Sequence, residues 1–390
     1  MTSTTWTEPG NTATALLLLG RGTDPASERG VDCPGDLPLP SDPDLVARAT
    51  AAKAALGSRV FVLGHHYQRD EVIQFADVTG DSFKLAREAA ARPDAEFIVF
   101  CGVHFMAESA DILAKDHQRI ILPDLAAGCS MADMAPADQL EICWSELSQL
   151  GLASRVVPVT YINSAAAIKS LVGKNGGTVC TSSNAAATLK WGWEQKEKIL
   201  FLPDQHLGRN TAFKMGVPLD QMVVWDPNEP FGGLTREELA AAKLILWKGH
   251  CSVHVRFTAK QIEKVRAEHP GIKVIVHPEV PFDVVQAADD SGSTEHILKM
   301  VRESAPGSKW AVATEVHLVH RLAEEVAPEK TVVSLDQFGC LCSTMFRVSP
   351  NHLLWVLDSL VDGDVVNEIV VPDEQKKWAK LALDRMLAIR

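Results

Sequence analysis

Residues 60–67 read Val60-Phe61-Val62-Leu63-Gly64-His65-His66-Tyr67, an apolar run that stops in a polar, aromatic-tipped turn. Two further stretches have the same form. Val156-Val157-Pro158-Val159 runs into Thr160-Tyr161-Ile162-Asn163, and Val274-Ile275-Val276 runs into His277-Pro278-Glu279. Short β-branched runs bounded by polar turns read as buried strands. A helical pattern follows each, and then a small hydroxyl residue in a turn: Gly80-Asp81-Ser82, Thr181-Ser182-Ser183 and Gly292-Ser293-Thr294. Second strands are expected at 96–100, 199–202 and 310–312, leading to His104, His206 and His317. A third strand ends each unit on cysteine and serine: Gly128-Cys129-Ser130, Gly249-His250-Cys251-Ser252 and Cys340-Leu341-Cys342-Ser343.

The first and third units keep one spacing. His65 to His277 is 212 positions, as is Ser82 to Thr294; His104 to His317 is 213, as is Cys129 to Cys342. Four matches in order at nearly one offset mark an internal repeat. The middle unit is longer, with a Pro-, Gly- and Asp-rich insertion near 211–246. That insertion reads as a surface excursion with one short helix near 235–243. Alternating strands and helices predict an α/β chain of three similar three-layer α/β/α domains, with parallel sheets around a pseudo-threefold axis. The divisions expected are a mobile N-terminal tail over 1–42, repeats over 43–130, 131–252 and 253–342, and a C-terminal segment over 343–390 packing back on the first repeat.

Composition narrows the function classes. The chain has 390 residues, 46% of them hydrophobic, which suffices for a large core. A net charge of -12 argues against a nucleic-acid partner, which needs a basic face. No apolar run reaches membrane-spanning length. The run Ala15-Leu16-Leu17-Leu18-Leu19 lacks the basic flank of a secretion signal, so a cytoplasmic protein is expected.

Ligands of parallel sheets gather at the carboxyl ends of strands, and every residue singled out lies just past such an end. Cys129, Cys251 and Cys342 occupy equivalent places, so threefold symmetry brings them together. Three thiolates suit a [4Fe-4S] cluster with one iron left without a cysteine. A zinc site is the other metal reading, and three buried apolar thiols the plain one. Cys340 has no counterpart and competes with Cys342 as a ligand or as its disulfide partner. Cys33, Cys101, Cys143 and Cys180 read as structural.

His65, Tyr67, Tyr161, Asn163, His277 and Glu279 offer acid, base and hydrogen-bonding groups at matching strand ends. Ser82, Ser182 and Thr294 read as helix N-caps, whose free N–H groups also suit carboxylates or phosphate. Arg209 and Arg347 are further anion contacts or surface pairs. His104, His206 and His317 read as structural, and His250 and His254 as supports for Cys251.

These motifs, from about residue 43 to the C-terminus, resemble the quinolinate synthase A family. The segments that carry the likeness include Gly64-His65-His66-Tyr67-Gln68, Gly102-Val103-His104-Phe105-Met106-Ala107-Glu108, Asp204-Gln205-His206-Leu207-Gly208-Arg209 and Cys251-Ser252-Val253-His254. The resemblance implies a [4Fe-4S] cluster on Cys129, Cys251 and Cys342, its open iron acting as a Lewis acid. It implies condensation of iminoaspartate with dihydroxyacetone phosphate to quinolinate, phosphate and water in de novo NAD biosynthesis. Functional coupling to an aspartate oxidase or dehydrogenase follows from the need for iminoaspartate. It implies substrate binding by His65, Ser82, Tyr161, Asn163, Ser182, His277, Glu279 and Thr294, and proton transfer by Tyr67, His277 and Glu279. Another [4Fe-4S] hydro-lyase on a small carboxylic acid, or a non-enzymatic iron–sulfur sensor, shares the cysteines; the sensor has no use for Tyr67, His277 and Glu279.

Overall fold

The computed structural model describes residues 44–389. The segment 1–42, with its apolar run and Cys33, lies outside the described residues. Three mostly parallel sheets, flanked by helices, make up the fold. The first is built from β1 (Val60–His65), β2 (Val78–Gly80), β3 (Phe97–Cys101) and β4 (Arg119–Ile121). The second contains β5 (Val156–Tyr161), β6 (Thr178–Cys180), β7 (Lys198–Leu202), β8 (Met222–Trp225) and β9 (Leu244–Trp247). The third contains β10 (Lys273–Val276), β11 (Asp290–Ser291), β12 (Lys309–Ala313) and β13 (Thr331–Ser334). A last strand, β14 (Glu368–Ile369), pairs antiparallel with β4 at the edge of the first sheet.

The strand orders repeat. They run β14-β4-β3-β1-β2, β8-β9-β7-β5-β6 and β13-β12-β10-β11. In each sheet the strand that opens the unit lies between its second and third partners, and crossover helices join the parallel neighbours. Side-chain alternation then splits each sheet into two apolar faces. In the second sheet, Val157, Val159, Ile199, Phe201, Leu244 and Leu246 face one core, while Val156, Leu200, Leu202, Ile245 and Trp247 face another. In the third, Val274, Val276, Ala311 and Ala313 oppose Ile275, Trp310 and Val312. Helices cover both faces, which is the three-layer arrangement expected from the sequence. Each fully buried aliphatic side chain contributes about 1.5–3 kcal/mol.

The repeat reaches into backbone detail. Asp77 Oδ2 accepts from Val62 N at 2.7 Å, and Asp77 N donates to Val62 O at 2.8 Å. Asp289 does the same with Val274, at 2.7 and 2.9 Å. A cation from the preceding helix neutralises each carboxylate, Lys53 on Asp77 and Arg266 on Asp289.

Two regions differ from the sequence reading, the 211–246 insertion expected at the surface and the C-terminal segment expected on the first repeat. The stretch 211–246 carries the short helix Arg236–Ala241, but it also supplies the edge strand β8. Trp225 of β8 is 1% exposed, packed on Gly232 and in the same core as Leu200, Leu202, Ile245 and Trp247, so the insertion is part of the second unit's core. Its Pro, Gly and Asp content masks that strand. The C-terminal segment divides between two units. β14 joins the first sheet, while the helix Asp373–Ala388 lies on the helix Ala166–Lys174 of the second. There Thr178 Oγ1 donates to Ala382 O at 3.1 Å, and Arg385 Nη1 to Gly177 O at 2.7 Å. Among the described residues no helix is long and apolar enough to cross a membrane.

Gly173 permits this helix contact, since a Cβ there would meet Trp378 O at 2.0 Å. Gly173→Ala must push the last helix away. The expected result is a loss of about 1–3 kcal/mol, read as a lower urea midpoint at unchanged slope.

Candidate functional site

The loops after β1, β5 and β10 open into one cavity of about 660 Å³, open solvent at its mouth included. All twelve residues singled out from the sequence line it: His65, Tyr67, Ser82, Cys129, Tyr161, Asn163, Ser182, Cys251, His277, Glu279, Thr294 and Cys342. Val103, Phe105, Met106, Met131 and Met345 add an apolar wall. Polar groups on an apolar lining are typical of a small-molecule site.

Each cysteine is placed by the same bond. The helix after the second strand starts with an N–H that reaches the carbonyl two residues before the cysteine. The pairs are His104 N to Ala127 O at 2.8 Å, Gln205 N to Gly249 O at 3.0 Å, and Val316 N to Cys340 O at 3.0 Å. This register makes Cys342 the equivalent of Cys129 and Cys251, and puts Cys340 in the place of Ala127 and Gly249. The Cys340 thiol points into the third unit's core and donates to Asp336 Oδ2 at 3.1 Å. Cys129, Cys251 and Cys342 are partly exposed and free, whereas Cys101, Cys143 and Cys180 are buried. Burial pushes the Cys129 thiol up to about 12, and the neighbouring Cys342 adds to the rise. Cys251 is raised by burial, by Glu279 and by both other cysteines.

Beside the thiols lies a buried polar chain. Glu279 Oε2 accepts from His254 Nδ1 at 2.9 Å. His254 Nε2 lies 3.1 Å from Thr314 Oγ1, which lies 2.7 Å from Tyr67 Oη. His254 and His277 stack with centroids 4.5 Å apart. His65 Nδ1 accepts from Tyr67 N at 3.1 Å, which leaves its proton on Nε2. Burial drives His65 and His277 down, His277 to about 3, so both imidazoles are neutral at pH 7. Burial resists ionisation of Glu279, but His277, His254 and Tyr161 together hold its carboxyl at about 2. The state at pH 7 is an ionised Glu279 carboxylate beside neutral His65 and His277 rings. Burial and Glu279 raise both Tyr67 and Tyr161, which keeps the phenols protonated.

Ser82 and Thr294 sit one place past their helix caps, and Ser182 two places before its own. Ser82, Ser182 and Thr294 read as N-caps, but the caps of the first and third helices are Asp81 and Ser293. Asp81 Oδ1 accepts from Lys84 N at 2.9 Å, and Ser293 Oγ from His296 N at 3.3 Å. A cap must reach the N–H three residues on, and propensity cannot choose between two adjacent small polar residues. Ser82 and Thr294 therefore begin their helices with hydroxyls free for the cavity, and Ser182 stands in the turn before Asn184. Asn163 Oδ1 and His277 Nδ1 are buried without a hydrogen-bond partner, and His277 Nδ1 lies 3.7 Å from Glu279 Oε1.

Other candidates lie outside the cavity. Arg347 pairs with buried Asp124 at 3.0 Å, and Arg209 bonds Gln205 on its own helix at 3.1 Å. His104 lies 3.7 Å from Glu108, and His317 lies 2.8 Å from Glu315. Burial pushes His206 down to about 4. Thr314, which completes the polar chain, carried no sequence signal, because no hydroxyl stands at its place in the first unit.

Cys251, His254 and Glu279 have ligand atoms within 4.8 Å of one another, a group that could bind a metal. Both His254 nitrogens are already hydrogen-bonded. A metal on that set would break the polar chain.

Three α/β units that point their strand ends at one small-molecule cavity define an enzyme of the α/β class. Residues 48–388 match the family model described as quinolinate synthetase A protein. The quinolinate synthase of Streptomyces coelicolor is 63% identical over 97% of this chain and 96% of its own. That of Nocardioides sp. is 63% identical over 96% of each chain. A solved D-2-hydroxyisocaproate dehydrogenase covers 85% of this chain and 98% of its own, with 11% identity and a TM-score of 0.19, too low to bear on the fold. The chain belongs to the quinolinate synthetase A family and is an enzyme of that type.

The depressed histidines fix the pH response of the metal-free chain. Below about pH 6.5 the unfolded state takes up protons that folded His277 and His206 refuse until about 3 and 4. Stability is therefore full above that range and falls as pH drops from 6.5. Chemical unfolding from pH 7.5 to 4.5 should show this decline, and His277→Gln should make it shallower.

Proposed function

We propose that this enzyme condenses iminoaspartate with dihydroxyacetone phosphate to quinolinate, phosphate and two waters, a step of NAD biosynthesis. The observation that carries the reading is the meeting of strand-end residues from three units in one cavity. Family membership gives the reaction type, and the cavity gives chemistry suited to it. The sum of bonds formed and broken needs no oxidant or reductant, only proton transfers and departure of phosphate and water.

Cys129, Cys251 and Cys342 are the residues to hold a [4Fe-4S] cluster. The fit rests on the donor set: three free thiols, one per unit, that all line one cavity. Binding a cation deprotonates such thiols. When bound, the cluster supplies Lewis acidity at an iron without a cysteine.

The protein's own groups handle the rest. Ser82 and Thr294 offer hydroxyls and helix N-terminal N–H groups to carboxylate or phosphate. Asn163 and His277 meet the substrate with their unpaired polar atoms. Ionised Glu279 is the base, and the hydrogen bonds through His254 and Thr314 link it, without intervening water, to the protonated Tyr67 phenol, the acid. A carboxylate held near 2 is a weak base at rest. Its affinity for a proton rises when substrate displaces the Tyr161 or His254 bond.

Iron and acid-labile sulfide in chain purified without oxygen should each come to about four per chain. Cys342→Ser should lose that content and Cys340→Ser should keep it; the reverse result moves the site. Glu279→Gln should lower kcat in the condensation assay by about 10²–10⁴ while leaving the iron content unchanged. Full turnover in that variant removes Glu279 as the base.

A further inference from the structure

In the third unit the cysteine loop has a second tie. Glu315 is fully buried and caps the helix Val316–Val326, its Oε2 accepting from His317 N at 2.8 Å and Leu318 N at 3.4 Å. Its other oxygen lies 2.8 Å from His317 Nδ1 and accepts from the Cys342 N–H at 3.4 Å. One carboxylate thus joins a helix N-terminus, a histidine and the amide of a cavity cysteine. The His317 ring stacks on Phe346, four residues past Cys342, with centroids 5.8 Å apart. The loop is braced on both sides of the cysteine.

Capping alone does not explain this choice. Ser293 and Ser349 cap helices of 9 and 13 residues, either side of the 11 of this one, with a neutral hydroxyl. A fully buried carboxylate carries a desolvation cost that a serine does not. The second unit holds a shorter version of the same device. Asp204 is fully buried, caps its helix through Leu207 N at 2.7 Å, and faces the Cys251 amide with Oδ2 unbonded. The first unit has no such group, because its helix starts after Val103 with no side-chain cap.

We infer that Glu315 is a positioning residue that fixes the Cys342 amide, and through it the direction of the Cys342 thiol toward Cys129 and Cys251. This rests on the three-cysteine reading given above. Glutamate has the length to bridge helix and loop; aspartate reaches one and strains toward the other. Glutamine loses one acceptor oxygen and turns an NH2 toward N–H donors.

The test compares the full chain with Glu315→Gln, Glu315→Asp and Thr235→Ala, the last losing a cap far from the cavity. Two quantities are read: amide hydrogen exchange over 340–346 in metal-free chain, and iron release to an external chelator from reconstituted chain. Glu315→Gln should raise exchange in that segment and speed iron release about tenfold. Glu315→Asp should fall between, and Thr235→Ala should change neither. If Glu315→Gln does not fold, the Glu315→Asp exchange pattern decides. A variant that unfolds at lower temperature but keeps parental exchange over 340–346 makes Glu315 a plain helix cap and overturns the inference. A parent that takes up no iron, yet shows the same variant-dependent exchange, removes the cluster and leaves the Glu315 tie standing.

Discussion

The N–H that opens each second-strand helix reaches the carbonyl two residues before a cysteine, and the cavity depends on that bond. It is made three times, at 2.8, 3.0 and 3.0 Å. It joins the start of the helix after β3, β7 or β12 to the loop past β4, β9 or β13, where the chain would otherwise leave backbone groups unpaired. The bond is the same in each unit, and all three thiols line the one cavity. The helix amide sets position; packing of Cys129, Cys251 and Cys342 against the cores keeps it.

Around this frame the cavity carries more buried polar groups than stability alone would favour. Glu279, His254, Thr314 and His277 are all under 4% exposed. Most of their polar atoms are bonded to one another, which offsets the desolvation of an ionised carboxylate. The chain runs from the third unit to Tyr67 of the first, so it also ties two units together. His66 with Glu295 at 2.9 Å and Asp81 with Ser183 at 3.4 Å extend that tie at the rim. The site is thus shared among units and cannot form in any one of them.

Much of this was legible in the sequence because the repeat gave each residue two echoes. Val62 and Val274, or Asp77 and Asp289, share an offset and make the same bonds. His65, Tyr67, Tyr161, His277 and Glu279 follow strand ends, and strand ends of parallel sheets face ligands. Where the repeat fell silent, so did the reading. Thr314 and Glu315 have no polar echo in the first unit. The edge strand β8 hides in a stretch whose Pro, Gly and Asp resemble loop composition.

The sequence by itself determined the three units and the set of residues at the strand ends, since periodicity and spacing are local properties of the chain; the strand order came from the structure. Tertiary structure alone decided which neighbours do what. It chose Asp81 over Ser82 and Ser293 over Thr294 as caps, and Cys342 over Cys340 as the cavity thiol. It also divided the C-terminal segment between the first and second units. These choices turn on hydrogen-bond direction and on contacts between residues more than 100 positions apart, and neither is written in local pattern.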